Sequence, residues 1–137
     1  MTNLKEGSKR ILYGNDDLEA DINHDSDNVI QLVEREYPEL MAEFRRIQRE
    51  QYNLFAIKHH DYGPGNISMG TDLKDTSDVK LSLTALVVRI NDKVNRLINL
   101  IIKRDVEGEA EPVMDAFADL AVYGIIAQIV KNGKWHK

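Results

Sequence analysis

The sequence predicts an all-α protein, an antiparallel bundle of four to five helices. Three observations carry that expectation. Two long stretches repeat apolar residues at three- and four-residue spacing, and Pro or Gly stands where helices would begin and end. Nowhere do apolar and polar residues alternate between hairpin turns, so strands are not expected.

Residues 1–26 are polar, with Gly7 and Gly14 among many Asp and Asn, and they read as an N-terminal arm. Only Arg10-Ile11-Leu12-Tyr13 has the apolar content to order, against the body or a neighbouring subunit; otherwise the arm frays. Residues 27–137 make the helical domain. Ser26 or Asp27 caps a short first helix ending near Arg35. Pro38 suits a first helical position and opens a second helix to about His59, with Leu40, Met41, Phe44, Ile47, Leu54 and Phe55 in helical period. Gly63, Pro64 and Gly65 end it in an irregular loop that drifts to about Asp78.

The third helix has the clearest pattern. Leu83, Leu86, Val87, Ile90, Val94, Leu97, Ile98 and Ile101 form one expected buried stripe, ending near Lys103. A short acidic link returns the chain, so the next helix runs antiparallel from Glu111-Pro112 to about Lys131, stopped by Gly133.

A chain of 137 residues has the size of one domain and can bury a core without disulfides or metals. The absence of cysteine excludes disulfides, thiol catalysis and cysteine-held zinc, and fits a reducing cytoplasm. The net charge of −5 disfavours duplex nucleic acid as a partner. The apolar runs are broken by charged or amide residues short of a membrane span, and no secretory signal opens the chain. A soluble cytoplasmic protein with no membrane partner is expected.

Three constellations are candidates for chemistry. The fourth helix is apolar nearly all round from Phe117 to Val130, which predicts burial on several sides, yet Glu111, Asp115, Asp119 and Tyr123 recur on it every four residues. Buried carboxylates need cations, donors or a metal, and oxygen ligands at this spacing suit Mg²⁺. The simpler alternative is that Glu111 and Asp115 favour the helix N-terminus and lie in solvent. On the third helix, Arg89, Asp92 and Arg96 share a face opposite the apolar stripe, with Lys93 beside them. They make either a solvated face or a phosphate-binding surface whose carboxylate shares a metal. The third is Lys58-His59-His60-Asp61-Tyr62-Gly63-Pro64-Gly65-Asn66, where adjacent histidines point apart and make a poor zinc site. Lys58, Asp61 and Tyr62 before a glycine turn suit ligand contact, or else simply end a helix.

Read in order, the Lys-x-x-Asp-Tyr-Gly segment from Lys58, the Arg-x-x-Asp-Lys-x-x-Arg-Leu helix from Arg89 and the Asp-x-x-x-Asp-Leu-Ala-x-Tyr helix from Asp115 resemble the nucleotide modification associated domain, a helical family common in bacteriophages. The resemblance spans about residues 40–132. That family is similar to the all-α nucleoside triphosphate pyrophosphatases, the MazG-like and dimeric dUTPase-like enzymes. These hold Mg²⁺ with a Glu-x-x-Glu helix and a Glu-x-x-Asp helix, as dimers or tetramers with nucleotide sites between helices. Here Asp115 and Asp119 match the second helix in spirit, whereas Arg89, Asp92, Lys93 and Arg96 replace the two glutamates of the first. Glu36 and Glu39 have the right spacing, but Pro38 lies between them.

The resemblance implies an all-α pyrophosphatase-like fold and a nucleotide-binding protein of phage type, working in the host cytoplasm as a homo-oligomer. It implies Asp92, Asp115 and Asp119 as Mg²⁺, ribose or base contacts, with Asp115 and Asp119 as the catalytic pair if the reaction is Mg²⁺-assisted attack of water between phosphates. Lys58, Arg89, Lys93 and Arg96 are the expected phosphate contacts, Asp61 and Tyr62 close the pocket, and Tyr123 lines it. The missing glutamate pair leaves open a rival role in anti-defence: tight, non-hydrolysing sequestration of cyclic nucleotides or ADP-ribose derivatives. An assembly adaptor without a small ligand is the third reading.

Overall fold

A computed structural model describes the backbone of residues 16–135 and the side chains of residues 25–135. Over the described residues the chain is all-helical, with five α-helices and no strand: α1 Asp16–Glu36, α2 Pro38–Tyr62, α3 Gly65–Ser68, α4 Thr76–Leu97 and α5 Glu111–Lys131. Residues 10–13, expected as the ordering part of the arm, lie outside the described residues. The described residues form two compact units, 16–48 and 49–135.

In the first unit, α1 begins ten residues ahead of the expected cap at Ser26, so residues 16–26 are helical. The bend at Tyr37 follows from Pro38, which disfavours the helical backbone in the residue before it. Helical hydrogen bonding brackets the bend nonetheless, from Tyr37 N to Val33 O at 2.8 Å and from Met41 N to Tyr37 O at 3.1 Å. The unit holds ion pairs between Arg45 and Glu34 and between Arg46 and Glu43, the latter at 2.6 Å. No described residue of this unit is buried.

The second unit is built on the antiparallel pair α4 and α5, the most closely packed elements of the chain. Its buried apolar residues make two clusters. One holds Ile67, Leu86, Ile126, Val130 and Trp135, the other Leu97, Leu100, Val113 and Ala116. The expected loop after α2 contains the one-turn helix α3; Gly63 ends α2 at a φ of 68°, a conformation that suits glycine. Past Leu97 the helix widens into a π-helical segment, Ile98–Lys103, where Arg104 N donates to Asn99 O at 3.0 Å. This widening sits beside the buried Leu97 and Leu100 of the second cluster.

Two expectations about burial are corrected. The α4 stripe does not bury as one face: Leu86 and Leu97 are buried, but Val87, Val94 and Ile98 are exposed. At about 100° per residue, Ser82, Leu86, Lys93 and Leu97 fall along one line of the helix, whereas Val87 and Val94 point roughly a quarter-turn away. The buried direction therefore runs between the apolar stripe and the Arg/Lys face, not opposite the latter. Helix α5, apolar nearly all round, is covered on one side only; Met114, Phe117 and Ile125 stay about half exposed. By length and composition α5 is also long and apolar enough to cross a membrane. In this fold it packs on α4 and carries the ion-paired Asp119.

Candidate functional site

The C-terminal part of α2, the loop after it, α4, α5 and Trp135 enclose a cavity of about 450 Å³. Every wall belongs to residues 49–137. About three turns of α2 contribute Gln51, Phe55, Lys58, His59 and Tyr62, and steps of three or four residues from Gln51 through Phe55 to Tyr62 present them along one side of the helix. Helix α4 supplies Arg89, and α5 supplies Asp119, Val122, Tyr123 and Ile126.

Polar contacts fix this arrangement. Lys93 Nζ lies 2.7 Å from Asp119 Oδ2, and Lys58 Nζ lies 3.9 Å from Asp119 Oδ1. The first pair is about three-quarters shielded from solvent, so it is held more firmly than a surface pair; Lys58 is half exposed and its interaction with Asp119 is loose. Arg89 donates to Asn66 O at 2.9 Å and ties the loop to α4. Trp135 Nε1 donates to Pro64 O at 3.1 Å, and the fully buried Ser82 hydroxyl donates to Ile67 O at 2.6 Å. All three bonds go to carbonyls of the short stretch around α3 and tie it to α4 and to Trp135. The Pro64 carbonyl also accepts from Ile67 N at 3.2 Å and Ser68 N at 3.1 Å, so the indole adds to a turn that is already hydrogen-bonded.

Aromatic packing closes the other side. Phe55 and His59 stack at 5.7 Å between centroids, and His59 meets Trp135 edge to face at 5.0 Å. Phe55 and Trp135 complete the group at 6.1 Å. The indole is almost wholly buried, so its ring also anchors the first hydrophobic cluster.

Of the residues singled out in the sequence, the fold brings Lys58, Tyr62, Arg89, Asp119 and Tyr123 to the cavity, with Lys93 behind Asp119. Asp61, Asp92, Arg96 and Asp115 are exposed and do not line it. The carboxylate row divides for a geometric reason. Four-residue steps overshoot a 3.6-residue turn by about 40° each, so the row winds around α5 by roughly a third of a turn between Glu111 and Tyr123. Glu111 and Asp115 face solvent, and only Asp119 and Tyr123 turn inward.

Asp92, Asp115 and Asp119 do not converge: among the described residues no three His, Asp or Glu side chains form a group that could hold a metal ion. Asp119 is the one acidic residue lining the cavity, and its oxygens already face lysines. Mg²⁺ usually takes one or two protein carboxylates and fills its shell with water and ligand phosphates. This donor set therefore fits an ion carried in by a phosphate ligand better than a cage built by the protein.

Sequence reasoning passed over Gln51 and Trp135 and gave Phe55, His59 and Asn66 no role in the site. Trp135 left one legible signal, a lone Trp placed just beyond the Gly133 helix stop, since so large an apolar ring seeks burial. Asn66 ends the candidate loop segment, but its place in the wall depends on how the loop folds back. No family model matches the chain, and no curated protein or solved structure shows significant similarity to it.

Proposed function

We propose that residues 49–137 form a pocket for a nucleotide or nucleotide-derived small molecule, and that the protein holds this ligand rather than cutting it. The observation that carries the reading is the pairing of two lysine or arginine cations, Lys58 and Arg89, with several aromatic rings around one cavity. Cations recognise phosphate, with arginine able to make paired hydrogen bonds to its oxygens, and ring faces stack on bases. Asn66 and Gln51 supply amides for base or sugar edges.

Holding is favoured over hydrolysis because Asp119 is engaged by Lys93 and no second carboxylate lines the cavity. With its oxygens facing Lys93 and Lys58, Asp119 offers a metal ion little free coordination. The proposal fits a sequestering role of the anti-defence kind. Calorimetry against nucleoside phosphates tests the pocket: binding by the wild type that is weakened in Arg89→Gln supports it, and no heat with any of them supports the adaptor reading instead. Mass spectrometry of ligand released on denaturation separates the two chemistries. Intact ligand is expected. Pyrophosphate release from a nucleoside triphosphate with Mg²⁺, abolished by Asp119→Asn, would restore the enzymatic version with Asp115 and Asp119 as its acidic pair. Exposed Met114, Phe117 and Ile125 on α5 support self-association, measurable by light scattering.

A further inference from the structure

We infer that the ligand of this pocket is a nucleoside monophosphate, a single base and sugar bearing one phosphate dianion; the inference rests on the nucleotide reading above. Charge is the first reason. Lys58 and Arg89 line the cavity, and Asp119, its one carboxylate, is offset from behind by Lys93. Three cations against one anion leave a formal excess of two positive charges. A phosphate monoester carries about −1.5 to −2 at neutral pH and matches that excess. A triphosphate carries more negative charge and normally arrives with Mg²⁺, for which this wall offers only the lysine-paired Asp119. Asp92, Asp115 and Arg96, which would have to help hold a longer polyphosphate and its metal, point to solvent outside the cavity.

Size is the second reason. A cavity of about 450 Å³ lies toward the small end of ligand sites, which run from roughly 300 to 1,000 Å³. One nucleoside and a phosphate suit it, whereas two joined nucleosides, as in a cyclic dinucleotide, need a larger space. The third reason is how the walls are divided. Rings of His59, Tyr62 and Tyr123 offer surface for one base, and Arg89 spends a single donor on Asn66 O, leaving the rest of its guanidinium for one phosphate.

The test is a calorimetric titration of the full chain with the four common nucleoside monophosphates, their triphosphates, the free nucleosides, inorganic phosphate and a cyclic dinucleotide, each with Mg²⁺ and with EDTA. Emission of Trp135, the only Trp, is followed in parallel. At least one monophosphate is expected to bind about tenfold or more tightly than its triphosphate and its nucleoside, equally well in EDTA, with a change in Trp135 emission. Lys58→Gln and Arg89→Gln, checked for folding by circular dichroism, are each expected to weaken that monophosphate roughly tenfold and to leave the nucleoside unchanged. A triphosphate or dinucleotide that binds more tightly, or monophosphate binding that requires Mg²⁺, overturns the monophosphate inference while the nucleotide pocket stands. Absence of binding by every nucleotide overturns both.

Discussion

The two hydrophobic clusters of residues 49–137 share the helix pair α4 and α5 but are built differently. The cluster of Leu97, Leu100, Val113 and Ala116 is wholly aliphatic, packed with Ile101, Val106, Ala110 and Leu120 where the two helices approach their connection. The cluster of Ile67, Leu86, Ile126, Val130 and Trp135 includes an aromatic ring, draws on the loop after α2 and forms one side of the cavity. In both helices the Lys93–Asp119 pair falls in sequence between the two. One end of the pair serves to hold the helices together. The other end gives up close packing to make room, and needs hydrogen bonds from Ser82, Arg89 and Trp135 to keep its loop in place.

That division can be broken by mutation. The largest effects come from the cores. Leu100→Ala and Ile126→Ala should each cost about 2–5 kcal/mol in urea unfolding, as buried large-to-small changes do. Their consequences for binding should differ: the remaining folded Leu100→Ala protein keeps ligand affinity, whereas Ile126→Ala loses it, because Ile126 lines the cavity. Equal loss of affinity in both would show that the clusters are not separable.

Next comes the ion pair between them. Lys93→Met strands a largely shielded carboxylate and should cost roughly 1–3 kcal/mol, with partial recovery in the double variant Lys93→Met/Asp119→Leu. Additive losses in that thermodynamic cycle would mean the pair contributes nothing as a pair. Trp135→Phe keeps most of the ring but removes the bond to Pro64 O, for an expected loss of about 1 kcal/mol. Amide exchange in residues 63–68 should quicken more than in the aliphatic cluster.

The smallest effect lies outside both clusters. Glu43 accepts hydrogen bonds from Arg46 and is held below its ordinary value of 4.5 by them, the opposing effect of desolvation being outweighed. A depressed carboxylate stabilises the fold fully above its unfolded value, and that contribution fades as pH falls through the folded one. Because the pair is exposed, Glu43→Gln should leave the thermal midpoint at neutral pH almost unchanged and slightly flatten its decline below pH 4.5.

Much of the scaffold was legible because its signals are local. Pro38, Gly63 and Gly133 act on their own backbone, so the start of α2 and the ends of α2 and α5 could be placed within a few residues. The start of α1 was missed because residues 16–26 lack an apolar period, and α3 because a single turn has none. The site was legible only in part. Lys58, Tyr62, Arg89, Asp119 and Tyr123 came from motifs, yet Asp61, Asp92, Arg96 and Asp115 came from the same motifs and point elsewhere.

By itself the sequence determined that this chain is helical, where most of its helices stop, and that α5 carries acidic groups among apolar ones. Those properties follow from dihedral preferences and from periodicity along a few turns. Only the tertiary structure decided which acid faces the cavity, that Lys93 meets it, and that His59, Asn66 and Trp135 complete the walls. The physical reason is that a helix face becomes inside or outside only when a second element covers it. A drift of about 40° for each four-residue step then separates Asp119 from Asp115.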